Sequence, residues 1–162
     1  MIKHASGSFT RPADTTAYAS GDLIANSTTA GSVVAPEITG VSAVPGGEVM
    51  LHRVGLRKSG TSATNANIRV HLFRADPATV TNGDNGAISV SGAADYLGQW
   101  DVTSMQAFTD GCVGYATPTN GLEVPIRLGA NTASLYALLE ARDAYTPASA
   151  EVFTVTLDVE AL

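Results

Sequence analysis

The stretch Val152-Phe153-Thr154-Val155-Thr156-Leu157-Asp158-Val159-Glu160 decides the fold. Every odd-numbered residue from 153 to 159 is apolar, and the even-numbered residues between them are polar. Successive side chains of a β-strand point to opposite faces of a sheet, so one face of this segment is apolar and the other is wettable. The pattern predicts a strand that covers a core on one side and meets water on the other.

The same period of two recurs in three other segments: 122–128, 67–74 and 48–58. In the first, Pro125 cannot donate to a neighbouring strand, so we expect an edge strand there. In the third, the alternation predicts that Met50, Val54 and Leu56 point inward and that Arg53 and Arg57 point outward. Weaker strands are predicted at 9–11, 22–25, 32–38, 97–103 and 112–116.

Turn-forming residues separate these segments. Val44-Pro45-Gly46-Gly47 is typical of a tight turn, and Asn82-Gly83-Asp84-Asn85-Gly86 is rich in residues that tolerate the left-handed region. A loop at 143–150 joins the last two strands. Short strands separated by turn-forming residues are typical of an antiparallel sandwich or barrel, so the sequence predicts an all-β chain.

The segment 134–142 is ambiguous, because Leu135, Leu138 and Leu139 also have the spacing of a helical face. We interpret it as a strand because its neighbours are strands. A short helical turn is expected near 93–96. A length of 162 residues with 44% hydrophobic residues fits one domain, so we expect a sandwich over residues 9–162 preceded by a mobile arm over residues 1–8.

Charge and cysteine content exclude several classes of function. Nine basic residues face fifteen acidic ones, a net charge of −6, so nucleic acid is not an expected partner. The single Cys112 gives no disulfide framework and is expected to be buried. The first residues lack the apolar core of a signal peptide, and no segment is long and apolar enough to cross a membrane. Assembly in the cytoplasm is therefore expected.

Catalytic motifs are missing from the sequence. His4, His52 and His71 are far apart and form no metal-binding pair, and no nucleophile elbow or phosphate-binding loop is present. The sequence leaves open a glycosidase-type pair of acidic residues that come together only in the folded chain. The loop at 82–86 fails the EF-hand pattern, and a different calcium site using Asp84 and Asp95 stays open. We expect no enzyme activity, cofactor or metal.

One basic patch is predicted. If the strands with Arg53 and Arg57 and with Arg69 and His71 are neighbours, their outward side chains meet on one sheet face. Such a patch could dock on an acidic protein lattice, or it could be an ordinary solvated face.

The opening run from Phe9 to Asp22, which contains Arg11-Pro12-Ala13-Asp14-Thr15-Thr16-Ala17-Tyr18 and then Gly21-Asp22, resembles the start of a group of tailed-phage and prophage virion proteins. Shorter matches follow in the same order. They include Leu72-Phe73 before a proline, Asp84-Asn85, Asp95-Tyr96-Leu97-Gly98, Leu135-Tyr136, Ala144-Tyr145-Thr146-Pro147 and the closing alternating strand. The likeness therefore spans nearly the whole chain.

The resemblance implies a jelly-roll sandwich that acts as a capsid cement or decoration protein. Such proteins are commonly trimers that bind the major capsid protein on the outside of the head, and the resemblance transfers no catalytic residue. An alternative is a jelly-roll module of a tail or fibre that binds a glycan or receptor, although Trp100 alternates with Val102 and is expected to be buried.

The resemblance and the basic patch together nominate these interface residues: Arg11, Asp14, Tyr18, Arg53, Arg57, Arg69 and His71. For the segment from Arg11 to Asp22, a clasp inside the fold is the equal alternative to a contact between subunits.

Overall fold

The computed structural model describes residues 1–77, 79–116 and 123–162, and in those ranges the regular structure is β-strand with two single turns of 3₁₀ helix. The 3₁₀ turns are Ala30–Ser32 and Ala93–Asp95. No helix of the described chain has the length and apolarity required to span a bilayer. The strands are β1 Ile2–Thr10, β2 Leu23–Ile24, β3 Glu37–Ile38, β4 Glu48–Lys58, β5 Ile68–Phe73, β6 Thr79–Val80, β7 Val90–Ser91, β8 Tyr96–Val102, β9 Met105–Phe108, β10 Gly111–Tyr115, β11 Val124–Arg127, β12 Leu135–Ala141 and β13 Val152–Ala161.

The strands form two main antiparallel sheets and one small hairpin. Sheet 1 has the order β1-β13-β4-β10-β9. β10 and β11 lie on the same edge of β4: β10 pairs with its C-terminal half and β11 with its N-terminal half. Sheet 2 has the order β2-β12-β5-β8, and β3 also pairs with β12. The hairpin is β6-β7. The prediction of an all-β chain with antiparallel sheets is confirmed.

A single apolar cluster lies between the two sheets. Sheet 1 contributes alternate residues of β4 and β13, such as Leu56 and Leu157, and sheet 2 contributes alternate residues of β5 and β12, such as Val70 and Leu139. Each of these four side chains is fully buried. Burial of one such side chain stabilises the fold by about 1.5–3 kcal/mol, so the period-two pattern supplies the main force that holds the sheets together.

A second apolar cluster covers part of the opposite face of sheet 2. Its buried members are Leu23, Ala25, Ala35, Phe73 and Leu138, and Val80, Ile88 and Val90 from the β6-β7 hairpin and its loop pack on it. β12 is therefore covered on both faces, which is why its sequence lacks a clean alternation and resembles a helix. The strand interpretation of this segment is confirmed.

A β-bulge in β4 changes which residues point inward. Asp158 pairs with Arg53 and Val159 pairs with Leu51, so His52 is the extra residue. An extra residue shifts the alternation by one position, and Val49 and Leu51 are buried before the bulge whereas Val54 and Leu56 are buried after it. The prediction that Met50 points inward with Val54 and Leu56 is therefore wrong.

The expected mobile arm over residues 1–8 is corrected by the structure. Residues 2–10 form β1, which pairs with β13 along its whole length, from Ile2 opposite Glu160 to Thr10 opposite Val152. The alternation did not reveal this strand over residues 1–8, because the buried residues there, Ala5 and Gly7, are small and carry little apolar signal.

Several weaker predictions differ in detail. The strand expected at 32–38 is reduced to β3, and β9 was not predicted. The turn at 44–47 is confirmed, since Gly46 has a φ of +69° and the Gly47 N–H donates to the Val44 carbonyl oxygen. In the described ranges β11 pairs with β4 alone, which agrees with the predicted edge strand at Pro125. Leu122, the first residue of the predicted strand 122–128, lies outside those ranges.

Candidate functional site

The nominated interface residues fall in three separate places. Arg11, Asp14 and Tyr18 lie in and beside a buried polar cluster, Arg53 and Arg57 lie on the outer face of sheet 1, and Arg69 and His71 lie on the outer face of sheet 2.

Arg11, Tyr18 and Asp84 form a buried hydrogen-bonded triangle, which we call the clasp. The Arg11 Nε donates to the Tyr18 hydroxyl oxygen at 2.8 Å, and its Nη2 donates to Asp84 Oδ2 at 3.1 Å. The Tyr18 hydroxyl donates to Asp84 Oδ1 at 2.6 Å, and the Ala25 N–H donates to the same oxygen. The Arg11 side chain is 0% exposed and that of Asp84 is 1% exposed.

The surroundings of the clasp fix its protonation. Burial and the adjacent Asp84 carboxylate raise the pKa of Tyr18, so its phenol keeps the proton that it donates. Burial acts to lower the pKa of Arg11, but the hydrogen bonds with Asp14 and Tyr18 outweigh it and the pKa is raised. The clasp is therefore a fixed cation–anion–phenol arrangement.

The clasp settles the role of two nominated residues. Arg11 and Tyr18 are buried inside their own chain, so they are not surface contacts, and the internal-clasp alternative is the correct one for them. Asp14 stays partly exposed at 38% while accepting from Arg11 and from the Thr16 N–H. These two donors hold the pKa of Asp14 below its usual range.

A second buried ion pair was not predicted. The Lys58 Nζ donates to Glu151 Oε1 at 3.0 Å, and both side chains are 0% exposed. The Tyr145 hydroxyl donates to the other Glu151 oxygen, and burial followed by this carboxylate raises the pKa of Tyr145. The alternation in the sequence did indicate that both residues point inward. Lys58 follows Val54 and Leu56 at the same spacing of two, and Glu151 lies two residues before the inward Phe153.

The outer face of sheet 1, which we call the open face, combines small polar side chains with paired charged ones. Arg53 is paired with Asp158 at 2.6 Å and its guanidinium lies 4.1 Å from the centroid of the Tyr115 ring. Arg57 lies 3.5 Å from Asp110. The register places these residues on the open face: Ser6, Ser8, Arg53, Gly55, Arg57, Tyr115, Thr154, Thr156 and Asp158.

The predicted basic patch is wrong. Arg53 and Arg57 belong to sheet 1, whereas Arg69 and His71 belong to sheet 2, so the two pairs lie on opposite outer faces. β4 and β5 are consecutive in the sequence but belong to different sheets. Each arginine of the pairs also has an acidic partner, which leaves no surplus of positive charge there.

On sheet 2, Arg69 makes a two-pronged contact with Asp101. Its Nε donates to Oδ1 at 2.6 Å and its Nη2 donates to Oδ2 at 2.9 Å. The two residues face each other across β5 and β8, and Glu140 faces Arg69 from β12. The contact with Arg69 lowers the pKa of Asp101, and the contact with Asp101 raises the pKa of Arg69.

His71 is held between two partners, which corrects the expectation of a solvated side chain. Its Nε2 lies 2.8 Å from Glu140 Oε2 and its Nδ1 lies 3.0 Å from the Tyr96 hydroxyl. Burial lowers the pKa of His71, although Glu140 acts to raise it. A neutral ring that donates from Nε2 and accepts at Nδ1 satisfies both contacts, so neither ring nitrogen is left to exchange a proton with a substrate.

A groove of about 410 Å³ lies beside His71, between sheet 2 and the loop that carries β7. Its walls are mostly apolar and include Phe73, Ile88, Val90 and Tyr96. The Tyr96 ring lies 5.3 Å from the Phe73 ring centroid and Tyr96 is 37% exposed. The groove therefore offers one aromatic side chain to solvent beside polar groups.

The open question of a calcium site is answered by the partners of Asp84. Both of its carboxylate oxygens accept hydrogen bonds within the clasp, and Asp95 lies instead near Arg74, at 4.0 Å. Among residues 1–77, 79–116 and 123–162, no three His, Cys, Asp or Glu side chains converge as a metal site. Asp84 and Asp95 thus do not act together.

Cys112 and Trp100 are both core residues, as predicted. Cys112 is 1% exposed and Trp100 is 3% exposed. Neither side chain is available to a ligand at the surface.

No protein-family model, curated protein or solved structure matches this chain. Its function is therefore inferred from its own residues and their geometry.

Proposed function

We propose that this chain is a non-enzymatic structural protein of a tailed-phage virion, a jelly-roll cement protein that binds the major capsid protein on the outside of the head. The resemblance of the segment from Phe9 to Asp22 to virion proteins supports this assignment. In the proposal the chain acts as a homotrimer on the head surface, after assembly in the host cytoplasm.

The observation that carries the proposal is the open face of sheet 1. Its outward residues include Ser6, Ser8, Gly55, Thr154 and Thr156, and its charged residues are already paired, as in Arg53 with Asp158. Removing such a surface from water costs little, because few unpaired charges lose their hydration. A broad face of a six-stranded sheet suits a flat protein lattice.

The clasp supports the proposal in a different way. The residues of the opening motif that carry the resemblance, Arg11 and Tyr18, fasten the start of the chain to Asp84 inside the fold. The opening motif that carries the resemblance therefore has a structural role inside this fold.

The mechanism is mass action. A protein that binds only the expanded lattice stabilises it by its binding free energy, and many copies multiply the effect. A closed trimer that touches several capsid subunits strengthens binding further through multivalency.

The test mixes purified chain with full heads that were assembled without it. We expect a homotrimer by light scattering, co-sedimentation with the heads and a higher temperature of DNA release. A monomer that stays in the supernatant and leaves the release temperature unchanged would overturn the proposal. Electron microscopy of the decorated heads then locates the chain.

A pair of variants tests the open face. Thr154→Lys adds an unpaired charge in the middle of that face, and Gln99→Lys adds the same charge to the outer face of sheet 2. Both positions are half-buried. We expect the first variant alone to lose binding to heads; equal binding by both would move the contact away from the open face.

A second candidate, a glycan-binding jelly-roll module of a tail or fibre, is favoured by one observation. The exposed Tyr96 ring lies beside the groove next to His71, and an aromatic face next to polar groups is typical of sugar sites. Glycan-array binding that is lost in Tyr96→Ala, with folding retained, supports this candidate. Trp100 is not the residue to test, because it is buried.

A further inference from the structure

A second groove, of about 520 Å³, lies where β1 and the segment 34–37 diverge. Ser8, Phe9 and Thr10 form one wall, and Val34, Pro36 and Glu37 are among the residues of the other. The two walls meet at a single bridge between Ser6 and Thr39. Gly7 permits this crossing, because a Cβ there would lie 2.4 Å from the Glu37 carbonyl oxygen.

The wall formed by β1 is an unoccupied strand edge. The Thr39 N–H donates to the Ser6 carbonyl oxygen at 3.2 Å, so the backbone groups of Ser6 face away from β13. In an antiparallel pair this orientation recurs at every second residue, so the N–H and C=O groups of Ser8 and Thr10 also face away from β13, toward the groove. In the described ranges no other strand pairs with them.

The opposite side of the groove is acidic. Glu37 and Asp76 both line it, and neither makes an ion pair with a cation of the described ranges. Partial burial and the negative charge of Glu37 raise the pKa of Asp76, as expected for carboxylates that share one space without a cation. Between them, Val34 is 64% exposed and supplies an apolar contact.

We propose that this groove binds an extended, lysine- or arginine-bearing segment of a partner polypeptide, which adds as a strand to the edge of β1 at Ser8 and Thr10. The backbone of the segment pairs with the free N–H and C=O groups, and every second side chain reaches Glu37 and Asp76. The groove borders the open face at Ser8, but it is formed by the edge of β1 and the segment 34–37, so this proposal does not depend on the virion assignment.

The experiment uses the full chain and three blocked peptides of equal length. One alternates Lys with Val, one alternates Glu with Val, and one is the Lys-Val peptide with N-methyl groups on alternate amides, which cannot pair as a strand. We expect only the unmodified Lys-Val peptide to shift the backbone amide resonances of Ser8 and Thr10 and to slow their hydrogen exchange.

Two sets of variants locate the contact. The double variant Glu37→Gln with Asp76→Asn removes the charge at exposed positions, and we expect it to bind the Lys-Val peptide about tenfold more weakly. Ser8→Pro removes an N–H that faces the groove without breaking the pairing with β13. Ile2→Pro is the matched control, because the Ile2 N–H also faces away from β13 but Ile2 does not line the groove. It should bind normally.

Several results would overturn the proposal. They are equal binding of the N-methylated peptide, equal binding by the charge-neutral double variant, and amide shifts confined to other surfaces. The first would indicate attraction by charge alone, without strand addition. Absence of binding by the unmodified Lys-Val peptide would overturn it equally.

Discussion

Arg11 and Asp84 are 73 positions apart in the sequence, yet their side chains meet at 3.1 Å with almost no exposure to solvent. This contact fastens the segment after β1 to the loop between β6 and β7. Asp84 also accepts from the Tyr18 hydroxyl and from the Ala25 N–H. Its carboxylate therefore joins the segment that follows β1, the residue that follows β2 and its own loop between β6 and β7.

Removal of the Asp84 carboxylate should destabilise the chain strongly. Asp84→Ala removes the buried partner of the Arg11 cation and leaves it only the partly exposed Asp14, and loss of one member of a buried pair costs about 3–5 kcal/mol. Urea unfolding followed by circular dichroism measures the change. Arg57→Met is the control, since its exposed pair with Asp110 is worth less than about 1 kcal/mol. A similar small loss in both variants would contradict a structural role of the clasp.

The Lys58–Glu151 pair should show strong coupling. Either single variant, Lys58→Met or Glu151→Leu, leaves one buried charge alone and should cost about 3–5 kcal/mol. The double variant removes both charges, so its loss should be smaller than the sum of the single losses. Additive losses in urea unfolding would show that the two side chains act independently.

Stability should depend on pH through His71. Burial places the pKa of the folded His71 below its ordinary value of about 6.5, so the unfolded chain binds this proton first as the pH falls. The free energy of unfolding should therefore decrease as the pH is lowered from about 6.5 to the folded pKa, and no further below it. Urea midpoints over this range measure the effect.

The matching control for that dependence is His71→Gln, which keeps a donor for Glu140 but does not titrate. It should flatten the stability profile in this window. An NMR titration of His71 that gives a pKa at or above the ordinary value would show that the Glu140 carboxylate outweighs burial.

Gly83 should not tolerate a side chain. A Cβ at this position would lie 2.0 Å from the Thr28 carbonyl oxygen, a backbone atom that cannot move alone. Gly83→Ala should therefore cost about 1–3 kcal/mol by overpacking. Gly31→Ala, where a Cβ meets nothing within 4 Å, is the control and should unfold at nearly the wild-type urea concentration. A normal midpoint for Gly83→Ala would contradict the close approach of the two loops.

The sequence predicted strands well wherever one face is apolar, as in β13, β5 and most of β4. It failed at β1, whose inward residues are Ala5 and Gly7, and at His52, where the bulge reverses the alternation. Both failures are local: small inward residues give no apolar signal, and a bulge cannot be read from residue types alone.

The candidate site was less predictable, because it depends on which strands become neighbours. The basic patch assumed that β4 and β5 pair, whereas β4 pairs with β13, β10 and β11. The clasp illustrates the same limit, since Arg11 and Tyr18 were nominated as interface residues and nothing in the spacing connects them to Asp84, with which they are buried. By contrast, Lys58 is an inward residue at the end of β4, and Glu151 precedes β13 by one residue with the inward parity of Phe153, so the alternation did indicate that both point inward.

The position of β13 between β1 and β4 has a consequence for how the protein is made. β13 follows both of its neighbours along the chain, so a growing polypeptide displays β1 and one side of β4 on the ribosome before the strand that joins them exists. Unsatisfied strand borders attract other chains. Ribosomes that stop before Val152 should thus release fragments that aggregate, because the edges of β1 and β4 stay unpaired until β13 has been translated.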